Sequence, residues 1–209
     1  MKQLLIAVIF GLCMIGQAMA DTEVSHHTDT RNYSTFGVVT SHGFPRGLSF
    51  WGFTDIHAAQ DEGSDLSYYF MEYRVNQSIP VKGLALEAEY NDHPGDDNNL
   101  VRLGLTYTIK LPNKGWTQFR AHPWDTTKNN DMQVSNAFGL PLSDRWSLSG
   151  WIDYNLTEHG KNQWIYEPAV NYQLTDDLIA SVEYRFNGFD EFISGWIRNG
   201  IAFGIIWKL

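Results

Sequence analysis

The sequence predicts an all-β transmembrane antiparallel up-and-down β-barrel, with twelve strands favoured and ten the other count that even parity allows. Three observations predict it. Apolar residues alternate with polar ones along every informative segment, short turns alternate with longer acidic loops, and aromatic residues recur near strand ends. The chain of 209 residues carries eight tryptophans, ten tyrosines and twelve phenylalanines. Its mean hydropathy is nevertheless negative, so the apolar residues are dispersed among polar ones rather than gathered in blocks.

The one apolar block runs from Leu4 to Ile15 behind Met1 and Lys2, and Gln17-Ala18-Met19-Ala20 follows it. A positive start, a short apolar core and small residues at Ala18 and Ala20 predict a secretory signal peptide over 1–20, cleaved after Ala20. The block is too short for a spanning helix. Residues 21–209 then form the barrel domain. Cys13, the single cysteine, leaves with the signal, which excludes disulfides, thiol catalysis and cysteine metal sites. Loss of Lys2 leaves 14 basic against 24 acidic residues, a balance that argues against a nucleic-acid partner.

Taken in chain order, the stretch Thr22 to Thr28 is weakly patterned and Tyr33 to Ser41 reads as a descending strand that needs a rising partner there. Ser41-His42-Gly43-Phe44-Pro45-Arg46-Gly47 reads as a short turn. About ten strands follow from Leu48. Among them Leu84, Leu86, Ala88 and Tyr90 oppose Ala85, Glu87, Glu89 and Asn91, while Val101, Leu103, Leu105, Tyr107 and Ile109 oppose Arg102, Gly104, Thr106, Thr108 and Lys110. Trp146, Leu148, Ile152, Tyr154 and Leu156 share one parity, as do Trp164, Tyr166, Pro168, Val170 and Tyr172, and Leu178, Ala180, Val182, Tyr184 and Phe186. The final segment alternates through Ile201, Phe203, Ile205, Trp207 and Leu209. It resembles the C-terminal signal read by the barrel-assembly machinery, with Leu209 where that signal usually has Phe.

Short turns fall at Ile79–Gly83, Pro112–Gly115, Pro141–Arg145 and Thr175–Asp177, and longer loops at Ala59–Ser64, Asp92–Asn99, Trp124–Asp131, Glu158–Asn162 and Gly188–Trp196. If the short turns are periplasmic, Tyr73, Tyr107, Trp146, Tyr172 and Trp207 form one girdle, and Tyr90, Tyr154, Trp164, Tyr184 and Phe186 the other.

With the apolar parity outward, the lumen receives Trp51, Phe53, Asp55, His57, Phe70, Glu72, Arg74, Glu87, Glu89, Arg102, Trp116, Gln118, Arg120, His122, Trp151, Asp153, Asn155, Glu167, Asn171, Glu183 and Arg185. Charges buried this way need partners, so a lumen packed by salt bridges is one reading. The inward aromatic rings give the other, because lipid does not explain them. Beside carboxylates and guanidiniums they suit a small polar ring compound, stacked and hydrogen-bonded. The candidate solute-binding set is Trp51, Phe53, Asp55, Phe70, Glu72, Arg74, Arg102, Arg120, Trp151, Asp153, Glu167 and Arg185. No catalytic residue, metal ligand or cofactor is expected.

Ser25-His26-His27-Thr28, Arg31-Asn32, Leu48-Ser49-Phe50-Trp51-Gly52-Phe53-Thr54-Asp55 and Tyr69-Phe70-Met71-Glu72-Tyr73-Arg74 resemble the N-terminal third of the nucleoside-specific channel-forming (Tsx-like) outer-membrane porins. Leu142-Ser143-Asp144-Arg145-Trp146, Ala169-Val170-Asn171-Tyr172 and Gly200 to Leu209 are similar in spacing. The resemblance implies a monomeric twelve-stranded barrel in the bacterial outer membrane, surrounded by lipid and lipopolysaccharide. It also implies a narrow lumen of aromatic and ionisable residues that passes nucleosides, with Trp51, Phe53, Asp55, Phe70, Glu72 and Arg74 as the carried-over site.

Three alternatives stand beside the channel. An outer-membrane enzyme acting on lipid or lipopolysaccharide would need a histidine, among His57, His93 and His159, within reach of a carboxylate and a serine. A non-conducting structural barrel would have its lumen plugged. The acidic run Asp92 to Asn99 suits a hard cation or lipopolysaccharide bridging but lacks the ligand spacing of an EF-hand. His26 and His27 point to opposite faces of a strand, which makes shared metal ligation awkward.

Overall fold

A computed structural model of the chain describes residues 21–59, 66–94, 99–126, 131–156, 162–188 and 199–209. It is one antiparallel sheet closed on itself. The strands are β1 (Asp21–Asp29), β2 (Tyr33–Gly43), β3 (Leu48–Ala59), β4 (Leu66–Ser78), β5 (Leu84–Asp92), β6 (Leu100–Lys110) and β7 (Trp116–Asp125). They continue as β8 (Met132–Pro141), β9 (Trp146–Leu156), β10 (Gln163–Tyr166), β11 (Ala169–Gln173), β12 (Leu178–Asn187) and β13 (Asn199–Lys208). Each pairs with its sequence neighbour, except that β10 and β11 do not pair with each other but both lie between β9 and β12, and β13 pairs with both β12 and β1, so no edge is left.

β10 and β11 are two halves of one strand, which gives twelve strands, the favoured count. Their register on β9 is unbroken across the interruption, with Tyr166 opposite Ile152 and Ala169 opposite Ser149. The break falls at Glu167-Pro168 because proline has no N–H to give to the ladder. Opposite it, Gly150 sits at φ +147°, and a Cβ there would lie 2.7 Å from the Pro168 Cα. Glu167 still donates its N–H to the Trp151 carbonyl at 3.0 Å.

The weakly patterned N-terminal stretch is a full strand. β1 pairs with β13 from Glu23↔Lys208 to Asp29↔Ala202 and with β2 from Asp21↔Ser41 to Thr28↔Ser34. Five tight turns lie at the end that carries Asp21 and Leu209. Four of them close with the same bond, from the N–H of Phe44, Leu111, Leu142 and Leu174 to the carbonyl four residues on. Two, Pro45–Gly47 and Pro112–Lys114, need consecutive left-handed residues, Arg46 with Gly47 and Asn113 with Lys114.

The packing is inverted relative to a soluble protein. The buried residues are mostly polar or charged, among them Glu72, Arg74, Glu87, Glu89, Arg120, His122 and Arg185, whereas Leu86, Leu103, Leu105, Phe119, Val134, Val170, Val182 and Phe203 are exposed. These large apolar residues alternate with the inward set on neighbouring strands, forming a continuous belt. Soluble monomers rarely expose apolar patches beyond a few hundred Å², so the belt is a lipid-facing surface. Strand lengths of 9–13 residues for the unbroken strands match a tilted crossing of the hydrocarbon layer. Among the described residues, no helix is long and apolar enough to cross a membrane.

Aromatic pairs mark both rims. Trp146 and Tyr172 are register partners with ring centroids 4.7 Å apart at the tight-turn end. At the other end Tyr154 meets Trp164 at 4.5 Å and Tyr166 meets Phe186 at 4.7 Å. One expected girdle position is corrected. Tyr73 is the register partner of Tyr90, so the two cannot belong to opposite girdles. β4 is 13 residues long, and Tyr73 sits near its middle. There its hydroxyl pairs with the Thr54 hydroxyl at 3.1 Å and its ring covers Gly52.

Candidate functional site

Among the described residues the lumen holds a cavity of about 1390 Å³. Its lining reaches from Asp21, Ser78 and Lys82 at the tight-turn end to Asn91, His93, Asp131 and Asn187 at the loop end. All twelve candidate residues named from the sequence line it: Trp51, Phe53, Asp55, Phe70, Glu72, Arg74, Arg102, Arg120, Trp151, Asp153, Glu167 and Arg185. Period-two alternation brings this about, because once one face of a strand meets lipid the other must meet the lumen.

One wall is a charge network built by β4 to β7. Arg74 pairs with Glu72 and with Glu89, the latter at 2.8 Å, and Arg102 reaches Glu89 at 2.6 Å. Behind them His122 bonds Glu87 at 2.9 Å, and Arg120 lies 3.6 Å from the same carboxylate. Gly104 makes this layering possible, since a Cβ there would meet the His122 ring at 2.7 Å. Glu89 and His122 point inward as expected but do not reach the cavity surface; Arg74, Arg102 and Arg120 cover them. The ligand atoms of Glu87, Glu89 and His122 lie within 4.8 Å of one another, a spacing that could hold a cation. Arg102 and Arg120 are already paired with these two carboxylates, and Arg74 is shared between Glu89 and Glu72, so the cluster is the core of an ion-pair network.

A second network spans β1, β2 and β12. Arg31 grips Asp29 through two guanidinium contacts of 2.6 and 3.0 Å, and Arg185 bonds Glu183 at 3.0 Å and the Thr35 hydroxyl at 2.9 Å. His27 lies 3.8 Å from Glu183, and Thr35 also bonds His57 at 3.1 Å. On the intervening strand β13 the inward residues are Gly200, Ala202 and Gly204, followed by Ile206 toward the tight-turn end. Side chains from β1 and the following turn lie over the glycines, with Arg31 against Gly200 and His27 against Gly204. Sequence reading missed Asp29, Arg31 and His27 as wall residues. The signal for them was the run of small residues on the inward parity of β13, which requires long side chains from its neighbours to fill the space.

Between the networks runs an aromatic column. Trp51 and Phe53 have ring centroids 5.5 Å apart, Phe53 and Phe70 5.6 Å, and Phe70 and His93 6.5 Å. Trp116 faces inward only at the tight-turn rim, where it covers Gly139 and stays 40% exposed. His57 bonds Thr35 and His93 faces the Pro94 carbonyl at 3.3 Å; His159 lies outside the described residues. So do Gly95 to Asn98, the middle of the acidic run considered for cation binding. His27 is buried and His26 exposed, the opposite orientation expected of adjacent strand residues.

Among the described residues the lining carries ten acidic side chains (Asp21, Glu23, Asp55, Glu72, Glu87, Asp125, Asp131, Asp153, Glu167, Glu183) against six fixed cations (Arg31, Arg74, Lys82, Arg102, Arg120, Arg185). The formal charge of this described wall is therefore negative. Low-dielectric walls around a narrow lumen focus such a field.

No protein-family model and no curated protein sequence matches the chain. Solved structures do resemble it. A NanC porin matches with a TM-score of 0.67 and 11% identity, covering 90% of this chain and all of the porin. A KdgM porin matches with a TM-score of 0.60 and 10% identity, covering 91% of this chain and 99% of the porin. The KdgM porin in complex with disordered oligogalacturonate matches at 0.59, with the same identity and coverage. At such identity the likeness is one of fold. Together with the apolar belt and the two girdles, that fold makes the chain a barrel of the bacterial outer membrane.

Proposed function

We propose that the chain is an outer-membrane channel for small polar solutes that favours neutral and cationic ones, with nucleosides the specific candidates that the Tsx-like resemblance implies. The observation that carries the reading is the cavity itself: its lining reaches both ends of the barrel, and its volume of about 1390 Å³ exceeds that of an ordinary closed ligand pocket, roughly 300–1,000 Å³. The proposed solute-contacting residues are the twelve named above, with the column Trp51, Phe53 and Phe70 offering ring faces.

Charge separates this channel from the KdgM complex with oligogalacturonate. An oligogalacturonate carries a carboxylate on every sugar, and a wall with ten carboxylates and six cations disfavours such a polyanion. The wall has no matching objection to an uncharged ring compound. No catalytic role is proposed. Residues 1–20 are proposed as a cleaved export signal, β13 as the segment handed to the barrel-assembly machinery, and the working unit as a monomer in lipid and lipopolysaccharide.

Swelling of liposomes carrying the protein tests the reading, with uridine, glucose and trigalacturonate as test solutes. Uridine and glucose are expected to enter, uridine faster, and trigalacturonate to be excluded. No swelling with any solute would remove the channel. Equal entry of trigalacturonate would remove the charge preference, and uridine entering no faster than glucose would remove the nucleoside reading.

A further inference from the structure

The inward face of the β3–β4 pair repeats one pattern. Register sets Trp51 opposite Arg74, Phe53 opposite Glu72, Asp55 opposite Phe70 and His57 opposite Tyr68, so every row holds one aromatic ring and one ionisable group. The wall already carries a cation on a ring, because the Arg74 guanidinium lies 4.9 Å above the centroid of Trp51. Its carboxylates differ in how they are engaged. Glu72, Glu89 and Glu183 are each paired with an arginine, whereas Asp55, which lines the cavity, makes no hydrogen bond and no ion pair among the described residues and has Arg185 and Glu183 as its charged neighbours. Gly37 leaves the space Asp55 occupies, since a Cβ there would be 2.7 Å from its Oδ1.

A carboxylate without an ion pair, opposite Phe70 in register and two residues from Phe53 on the same strand face, selects among ligands. A neutral ring would stack but leave the carboxylate uncompensated, and an anion would be repelled. A small inorganic ion, with its bound water, would gain little from the rings. A cation with apolar substituents uses both features, the charge meeting Asp55 and the substituents meeting the ring faces, where the aromatic quadrupole adds attraction.

We propose that Asp55, Phe53 and Phe70 form a binding site for a small organic cation, a quaternary or protonated amine of about the size of choline, on the path through the lumen. The site rests on the channel reading for its access but not for its chemistry. Choline is the probe, and 3,3-dimethyl-1-butanol, its uncharged carbon counterpart, is the control. Calorimetry on the full barrel in detergent micelles measures binding without requiring conduction, and block of the potassium chloride current in planar bilayers measures it in the pore.

Choline is expected to bind and to reduce the current, and the alcohol to do neither. Asp55→Asn and, separately, Phe53→Leu with Phe70→Leu are each expected to weaken choline binding by roughly two- to thirtyfold. Block is scored against each variant's own current. Choline binding that is absent, matched by the alcohol, or unaffected in both variants overturns the site. Binding in micelles without any current supports the site while removing the channel, so the two failures are distinguishable.

Discussion

Replacing Glu89 with glutamine removes a charge that two arginines share. Arg74 holds Glu89 Oε2 at 2.8 Å and Arg102 holds Oε1 at 2.6 Å, with the Glu89 side chain fully shielded from solvent. Arg74 keeps Glu72 in the variant. Arg102 loses its anionic partner, with at most the amide oxygen left to accept from it, and stays charged in the wall. Breaking a buried pair from one side costs about 3–5 kcal/mol; the lumen admits water at the Arg102 side, which favours the lower bound, about 3 kcal/mol. For a chain near 200 residues, that lowers the unfolding midpoint by roughly 6–12 °C. Reversible denaturant unfolding of the barrel in micelles, followed by tryptophan emission, measures it. Glu89→Gln combined with Arg102→Gln should recover part of the loss, because the stranded charge is gone. If Glu89→Gln is as stable as the wild type, or the second substitution adds its full cost, the ion-pair core is not what stiffens this wall.

Three further substitutions test other parts of the account. Gly150→Ala places a Cβ 2.7 Å from the Pro168 Cα at φ +147°, and should cost at least about 1–3 kcal/mol, read as a lower folded fraction on heat-modifiability gels. Val182→Arg puts a charge on the lipid face, where it should cost about 2–4 kcal/mol near the midplane, whereas Ser181→Arg on the lumen side of the same strand should cost much less. Both are measured by denaturant unfolding in lipid vesicles. Tyr73→Ala uncovers Gly52 and removes the hydroxyl pair with Thr54, and should destabilise by about 1 kcal/mol; a girdle role for Tyr73 would instead predict a shift in membrane depth, visible as altered quenching by lipid-attached probes.

The barrel was legible because lipid on one side and charged side chains on the other force strict alternation. The strands carrying Leu103, Tyr154 and Val182 needed no tertiary information to be placed. The lumen set follows from the same parity, which is why Trp51, Phe53, Asp55 and Arg185 all line the cavity. Parity gives a face but not a depth. It could not tell that Glu89 and His122 lie behind a layer of arginines, nor that Tyr73 faces Tyr90, because depth depends on strand overhang and on glycines such as Gly104 across the pair. The Asp29–Arg31 and His27–Glu183 contacts were illegible for another reason. β1 is polar on its inward face and mostly polar on the other, and its neighbour β13 makes room for inward side chains by offering Gly200, Ala202 and Gly204 to lie against beside them.

If the lumen conducts past a wall of negative formal charge, the reversal potential of single channels in a potassium chloride gradient reports that charge. Ten carboxylates against six cations predict a reversal potential displaced toward the potassium equilibrium value. The displacement should shrink at high ionic strength as the fixed charges are screened. A reversal potential displaced toward chloride, or no conductance at all, would contradict the account.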